Sequence, residues 1–172
     1  MRAAFVVFCL LVQCVALAQP REQEVKAAFL FKFPSFVEWT QGALRDGPIV
    51  IGVAGADEVA AELQQIVPGR NVQGRPVVVH RLREGEPVAG LHMLFLGRGE
   101  APRLREVVRA APAQPLLIVC EWEGALEQGA VVNFLRGDGR VRFEVALDAA
   151  ERRSLRVSPR MLSVAQSVRA AR

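Results

Sequence analysis

The chain has little of what catalytic and metal sites are built from. Its two histidines, His80 and His92, have no clustered carboxylate or cysteine beside them and read as ordinary strand residues rather than metal ligands. No Gly-Lys-Ser/Thr phosphate loop, no G-x-S-x-G elbow and no H-E-x-x-H helix occurs. Gly97-Arg98-Gly99 lies between a strand and a helix, but Pro102 stands where a third glycine is required, so a plain tight turn is expected. Cysteine is equally scarce, with Cys9, Cys14 and Cys120 making up the total of three. Cys120 ends an apolar strand and is followed by Glu121-Trp122-Glu123, whose carboxylates oppose the thiolate that a nucleophile needs. A buried, inert thiol is expected there. These absences argue against an enzyme, and neither cofactor nor metal is expected.

Long hydrophobic runs are also lacking. Ala3 to Val15 is shorter than the ~20 residues that cross a bilayer. With Met1-Arg2 ahead of it and Ala16-Leu17-Ala18 behind, the run reads as a secretory signal peptide over residues 1–18, and the mature chain starts at Gln19. A lipoprotein signal ending at Cys14 is the rival, though Gln13 occupies a position that normally takes a small residue. The expected product is a periplasmic protein with no transmembrane helix in its mature chain, residues 19–172 forming a single domain. Cys120 is then the one cysteine left, so no intramolecular disulfide forms and the fold rests on apolar packing.

The formal net charge is +4, which raises nucleic-acid binding. The basic residues are nearly all arginine, spread along the chain among acids, with no interleaved aromatics on which bases would stack. No nucleic-acid partner is expected; the charge reads as solubility, with weak attraction to anionic lipid surfaces.

What is present is organised around Gly129 to Asp148, two alternating runs separated by Asp138-Gly139, a dipeptide suited to a two-residue hairpin turn. The register follows by counting back from the turn: Gly137 faces Arg140, Leu135 faces Arg142, Phe134 faces Phe143, Asn133 faces Glu144 and Val132 faces Val145. Val132, Phe134, Phe143 and Val145 then line an apolar side, while Asn133, Arg142 and Glu144 gather on the other. That polar side is either the solvated face of an edge or a charge-assisted network able to bind a partner.

Upstream, Gln23 to Trp39 is apolar almost all round, as expected of a buried helix, with Pro34 kinking or ending it. Phe29, Phe33, Phe36 and Trp39 are core aromatics or anchors that dock on a partner. Strands at Pro48–Ala54, Pro76–Leu82, Leu91–Leu96 and Pro115–Cys120 alternate with helices at Asp57–Val67, with Asp57 as N-cap, and Glu100–Ala111. A short helical turn is expected at Glu123–Gln128 and helices at Asp148–Ser154 and Pro159–Arg169, the last capped by Ser158. The pattern predicts a three-layer α/β fold, its mostly parallel sheet flanked by helices and edged by an antiparallel C-terminal hairpin.

Three stretches together resemble the YfiR family of periplasmic regulators: VKAAFLFKFPSFVEW (25–39), LHMLFLGRGE (91–100) and GAVVNFLRGDGRVRFEVALDAAERRSLRVSPRMLSVA (129–165). The resemblance implies a non-catalytic α/β domain that represses an inner-membrane diguanylate cyclase by binding its periplasmic sensory domain, lowering cyclic-di-GMP and with it biofilm formation. It also implies a possible homodimer. Leu91 stands where family members often carry a disulfide-forming cysteine, and Pro34 where they more often have a helix former. Two other readings stay open from the residues alone. One is a small-ligand module with loops around Gly55, Gly97 and Cys120, and the other a hydrolase built on Cys120.

Overall fold

The computed structural model describes residues 21–39, 47–110, 114–135, 137 and 139–170. The signal-peptide residues, with Cys9 and Cys14, lie outside the described residues, as does Asp138 of the hairpin turn.

The expected opening helix is three elements. Helix α1 (Glu22–Lys32) ends where Pro34 begins a 3-10 turn over Phe33–Phe36, and Val37–Trp39 is a strand, β1. A proline has no N–H for the α-helical ladder but fits the first turn of a new segment, so the break falls where its ring falls. Strand β1 pairs antiparallel with β9 (Leu155–Val157), Trp39 lying opposite Leu155. This ribbon crosses the amino end of the strand at Leu117–Cys120: Trp39 Nε1 donates to the Pro115 carbonyl at 3.0 Å, and Arg153 Nη1 to that of Gln114 at 3.3 Å.

The remaining strands are β2 (Ile49–Ala54), β3 (Asn71–Val72), β4 (Arg75–Arg81), β5 (Met93–Leu96), β6 (Leu117–Cys120), β7 (Val132–Leu135), β8 (Arg142–Ala146) and β10 (Ser167–Arg169). They form one sheet in the order β10-β8-β7-β6-β5-β2-β4-β3, parallel from β4 across to β7. Strands β2, β5 and β6 are almost continuously apolar, because parallel strands are covered on both faces. Helix α2 (Asp57–Ile66) connects β2 to β4 and α3 (Ala101–Ala110) connects β5 to β6, in opposite directions along the sheet. Right-handed crossovers therefore put them on opposite faces. Helix α1 packs on α2 and completes that layer, which gives the expected three-layer α/β architecture.

Asp57 is the first residue of α2 rather than its cap; Ala56 holds the cap position, and Asp57 and Glu58 meet the positive end of the helix dipole instead. Residues 123–129 are turns, not a helix. After α4 (Leu147–Arg152) and β9, the helix expected over Pro159–Arg169 lasts a single turn, α5 (Pro159–Leu162), with Ser158 Oγ accepting from the Met161 N–H as its cap. The chain then returns as β10, parallel to β8, so β10 and not the hairpin forms the sheet edge.

The hairpin register is the one counted from the turn, with Val132, Asn133, Phe134 and Leu135 opposite Val145, Glu144, Phe143 and Arg142. The Arg140 N–H donates to the Gly137 carbonyl at 3.0 Å, which closes the short loop. On the α1 face, Phe33 stacks on Phe134 with centroids 5.7 Å apart and meets Phe143 edge-on at 5.1 Å, while Phe29 meets Phe143 at 5.5 Å. Tilted and edge-to-face pairs of this kind add to the burial itself. The first helix and the last third of the chain thus share one aromatic core.

Candidate functional cleft at the carboxyl edge of the sheet

Strand order reverses between β2 and β5, the point at which an open α/β sheet ordinarily offers a crevice. Here that crevice is closed. A Cβ on Gly97 would lie 2.0 Å from the Gly55 carbonyl oxygen, so the loops leaving β2 and β5 touch backbone to backbone, and Glu100 packs against Gly55 from above. The space opens further along, over β5, β6 and β7, as a cleft of about 670 Å³ lined by Arg98, Glu121, Trp122, Glu123, Glu127, Asn133 and Glu144, among others.

Asn133 organises this cleft. It sits beside Cys120 in the sheet register and is 1% exposed. Its Oδ1 accepts the Trp122 backbone N–H at 3.2 Å, pinning the chain as it leaves β6, and its Nδ2 donates to Glu144 Oε1 at 2.9 Å. Both halves of the amide are engaged, as a buried amide requires. The other Glu144 oxygen lies 3.4 Å from Ser167 Oγ on β10. Arg142, two residues before Glu144, instead donates to Gln166 Oε1 at 3.1 Å and is exposed. Of the expected polar cluster, the sequence register therefore brings Asn133 and Glu144 into contact, while Arg142 stands at the rim.

A second group adjoins it. Lys26, 5% exposed on α1, is bound by Glu22 and by Glu121 at the end of β6. Two carboxylates around one buried ammonium supply the partners that a charge out of water needs. Glu121 also lines the cleft, so the start of α1 is joined to its wall. The sequence signal for this group was the Cys120-Glu121-Trp122-Glu123 run at the end of a parallel strand; nothing in the spacing pointed to Lys26.

The aromatic candidates divide. Phe33 and Trp39 are buried, Phe29 and Phe36 half-buried. Phe29 and Phe33 lie against Phe134 and Phe143, which alternate with Asn133 and Glu144 along their strands, so the apolar and polar candidate sets occupy opposite faces of the sheet. Cys120 is fully buried, and burial first, then the adjacent Glu121 carboxylate, push its thiol well above the ordinary range. Among the described residues no group of three or more His, Cys, Asp or Glu is placed to hold a metal ion, and no helix is long and apolar enough to cross a membrane.

The molecule falls in the class of mixed α/β domains with a largely parallel sheet, and it carries a polar cleft at the carboxyl edge of that sheet. Within that class the chain belongs to the YfiR/HmsC-like family, whose pattern matches residues 23–166. Members of this family are regulators rather than enzymes. No curated protein matches the chain. Among solved structures, a conserved domain protein from Vibrio cholerae O1 biovar El Tor is similar in fold, with a TM-score of 0.56 at 13% identity. The alignment covers 86% of this chain and 60% of that one, so the present chain spans three-fifths of its structural neighbour.

Proposed function

We propose that this protein is a periplasmic regulator that acts by binding the periplasmic sensory domain of an inner-membrane diguanylate cyclase, holding it inactive and lowering cyclic-di-GMP. The observation that carries the reading is the family match along residues 23–166. The signal-like residues 1–18 accord with export. A brake of this kind works through differential affinity for the inactive receptor state, and it requires a recognition surface but no chemistry. In this reading the cleft supplies one: Glu144 held in place by Asn133, with the exposed Arg142, bonded to Gln166 at the rim, placed to pair with a partner's carboxylate. Phe29 and Phe36, the half-buried members of the aromatic set, provide the apolar anchors, with Phe33 packed behind Phe29 and Trp39 buried.

The test is intracellular cyclic-di-GMP in a deletion strain beside its parent and strains complemented with wild type or Arg142→Ala. The expected outcome is a rise on deletion, reversed by wild type and not by the variant, whose thermal midpoint stays that of the parent. An unchanged level on deletion would remove the cyclase from the reading.

A second reading, a small-ligand module, is favoured by the cleft itself, although it lies over β5 to β7 and not at the closed Gly55–Gly97 junction. A panel of amino acids and metabolites that leaves the melting temperature unmoved would remove it.

A further inference from the structure

A second opening shares no residue with the cleft. It is a groove of about 660 Å³ between α3 and residues 84–90 of the loop that carries the chain from β4 to β5. The helix wall comes from one stripe, Arg103, Glu106, Val107 and Ala110, positions three or four apart that share a face. Most of the lining is apolar, Val107 being buried and Val88, across from it on the loop, half-buried. The volume is that of a small-molecule site.

Two hydrogen-bonded staples fix the spacing of its walls. Near the start of α3, Arg103 donates from Nη1 to the Arg83 carbonyl at 2.8 Å and from Nη2 to the Glu86 carbonyl at 2.7 Å. Beyond the helix end, Gln114 Nε2 donates to the Val88 carbonyl at 3.4 Å. The groove is thereby bounded in length, since Arg103 and Ala110 lie about 10 Å apart along the axis at ~1.5 Å per residue. That span takes a single ring with a short chain, not an extended peptide running through. Because the loop is already bonded to the helix side, a ligand need not spend affinity on ordering it.

Charge then selects the occupant. The chain carries a net charge of +4, yet this groove is acidic: Glu84, Glu86, Glu100 and Glu106 line it against one base, Arg103. Arg103 is engaged by the two carbonyls, with Glu100 4.0 Å away, and Glu86 accepts the Arg83 backbone N–H at 2.9 Å. Glu84 and Glu106 are exposed and have no ion pair among the described residues. We propose that the groove binds a compact organic cation, an ammonium or guanidinium group on an apolar body no longer than about 10 Å. The body lies on Val88 and Val107, and the charge is met by Glu84 and Glu106 at the rim. An anion of the same shape is repelled, and a neutral analogue keeps only the apolar contacts.

The experiment uses the purified chain from Gln19 onward, alone, so its outcome does not depend on the cyclase reading. Backbone amide NMR spectra are followed while the chain is titrated into the millimolar range with phenethylamine, and separately with phenethyl alcohol and hydrocinnamate, which share its body and differ in charge. The same titrations are run on Glu84→Gln, Glu106→Gln and Ala110→Trp, all at exposed positions, with circular dichroism confirming the fold. The expected result is saturable binding of the amine, with shifts concentrated at residues 84–90 and 99–110, then weaker binding of the alcohol and weakest of the carboxylate. Exposed ion pairs are individually weak, so each glutamine variant should loosen the amine about two- to fivefold and leave the alcohol unmoved. Ala110→Trp, which fills the groove, should abolish binding of both. An amine that does not saturate, a carboxylate that binds as well as the amine, glutamine variants that leave the amine unchanged, or shifts centred on the cleft at residues 121–135 would each overturn the proposal.

Discussion

Replacing Asn133 is the most direct test of what holds the cleft together. The side chain is 1% exposed and makes two hydrogen bonds, one to the Trp122 N–H and one to the Glu144 carboxylate. A bond to a charged group contributes about 1.5–3 kcal/mol, and a buried donor left without an acceptor costs about 1–3 kcal/mol. Asn133→Ala removes the first and creates the second, so about 2–4 kcal/mol of stability should be lost, allowing for partial access of water to the half-buried Trp122 and Glu144. With a urea m-value of about 1–3 kcal/mol/M, the unfolding midpoint falls by about 1–2 M. Asn133→Asp makes a sharper version. It sets a second carboxylate against Glu144, and like charges at hydrogen-bond distance cannot both ionise freely. That variant should therefore regain stability relative to wild type as the pH falls and a shared proton restores the bond. Urea denaturation at several pH values reads both effects. A loss below about 0.5 kcal/mol for Asn133→Ala, or no pH dependence for Asn133→Asp, would refute the view that this amide organises the cleft.

His92 Nδ1 accepts the Val50 N–H at 3.0 Å, and burial first, then the Arg75 guanidinium, lower its pKa below 6.5. The unfolded chain takes up a proton at about 6.5 where the folded chain does not, so this residue's contribution is full above that pH and declines as the pH falls, levelling below the folded pKa. Thermal melts of His92→Gln should show a flatter slope than wild type as the pH falls below about 6.5. Gly97→Ala places a methyl 2.0 Å from the Gly55 oxygen, so the two loops must part; a melting temperature unchanged from wild type would contradict the closed junction. Phe33→Ala removes the ring that touches Phe29, Phe134 and Phe143, and chemical denaturation should report a loss of about 3–5 kcal/mol.

The sequence made the hairpin and its register legible because a two-residue turn leaves one pairing that keeps Phe134 and Phe143 on the same side as Val132 and Val145. The buried parallel strands were legible for a similar local reason, their unbroken apolar runs. The chain ends were not. Ser158 and Pro159 are true start signals, and Met161, Leu162, Val164 and Val168 then mimic a helical stripe, but pairing with β8 overrides local preference and turns Ser167–Arg169 into a strand. The same holds for Val37–Trp39, whose partner, β9, lies more than a hundred residues away. In the cleft, the contact of Asn133 with Glu144 follows from register alone. The parts played by Trp122 and Lys26 depend on how the loop after β6 and the first helix come together, which no periodicity encodes.

The aromatic core has a consequence for how the chain is made. Phe29 and Phe33 stack on each other but find their long-range aromatic neighbours at Phe134 and Phe143, Lys26 finds one of its two carboxylates at Glu121, and β1 waits for β9. Contacts so distant in sequence cannot form until nearly all of the polypeptide is present, and they slow folding because a large loop must close before any reward is gained. An unfinished or C-terminally shortened chain therefore carries a sticky, unsatisfied phenylalanine helix at its front end. A copy that stops short of β9 leaves β1 without its strand partner.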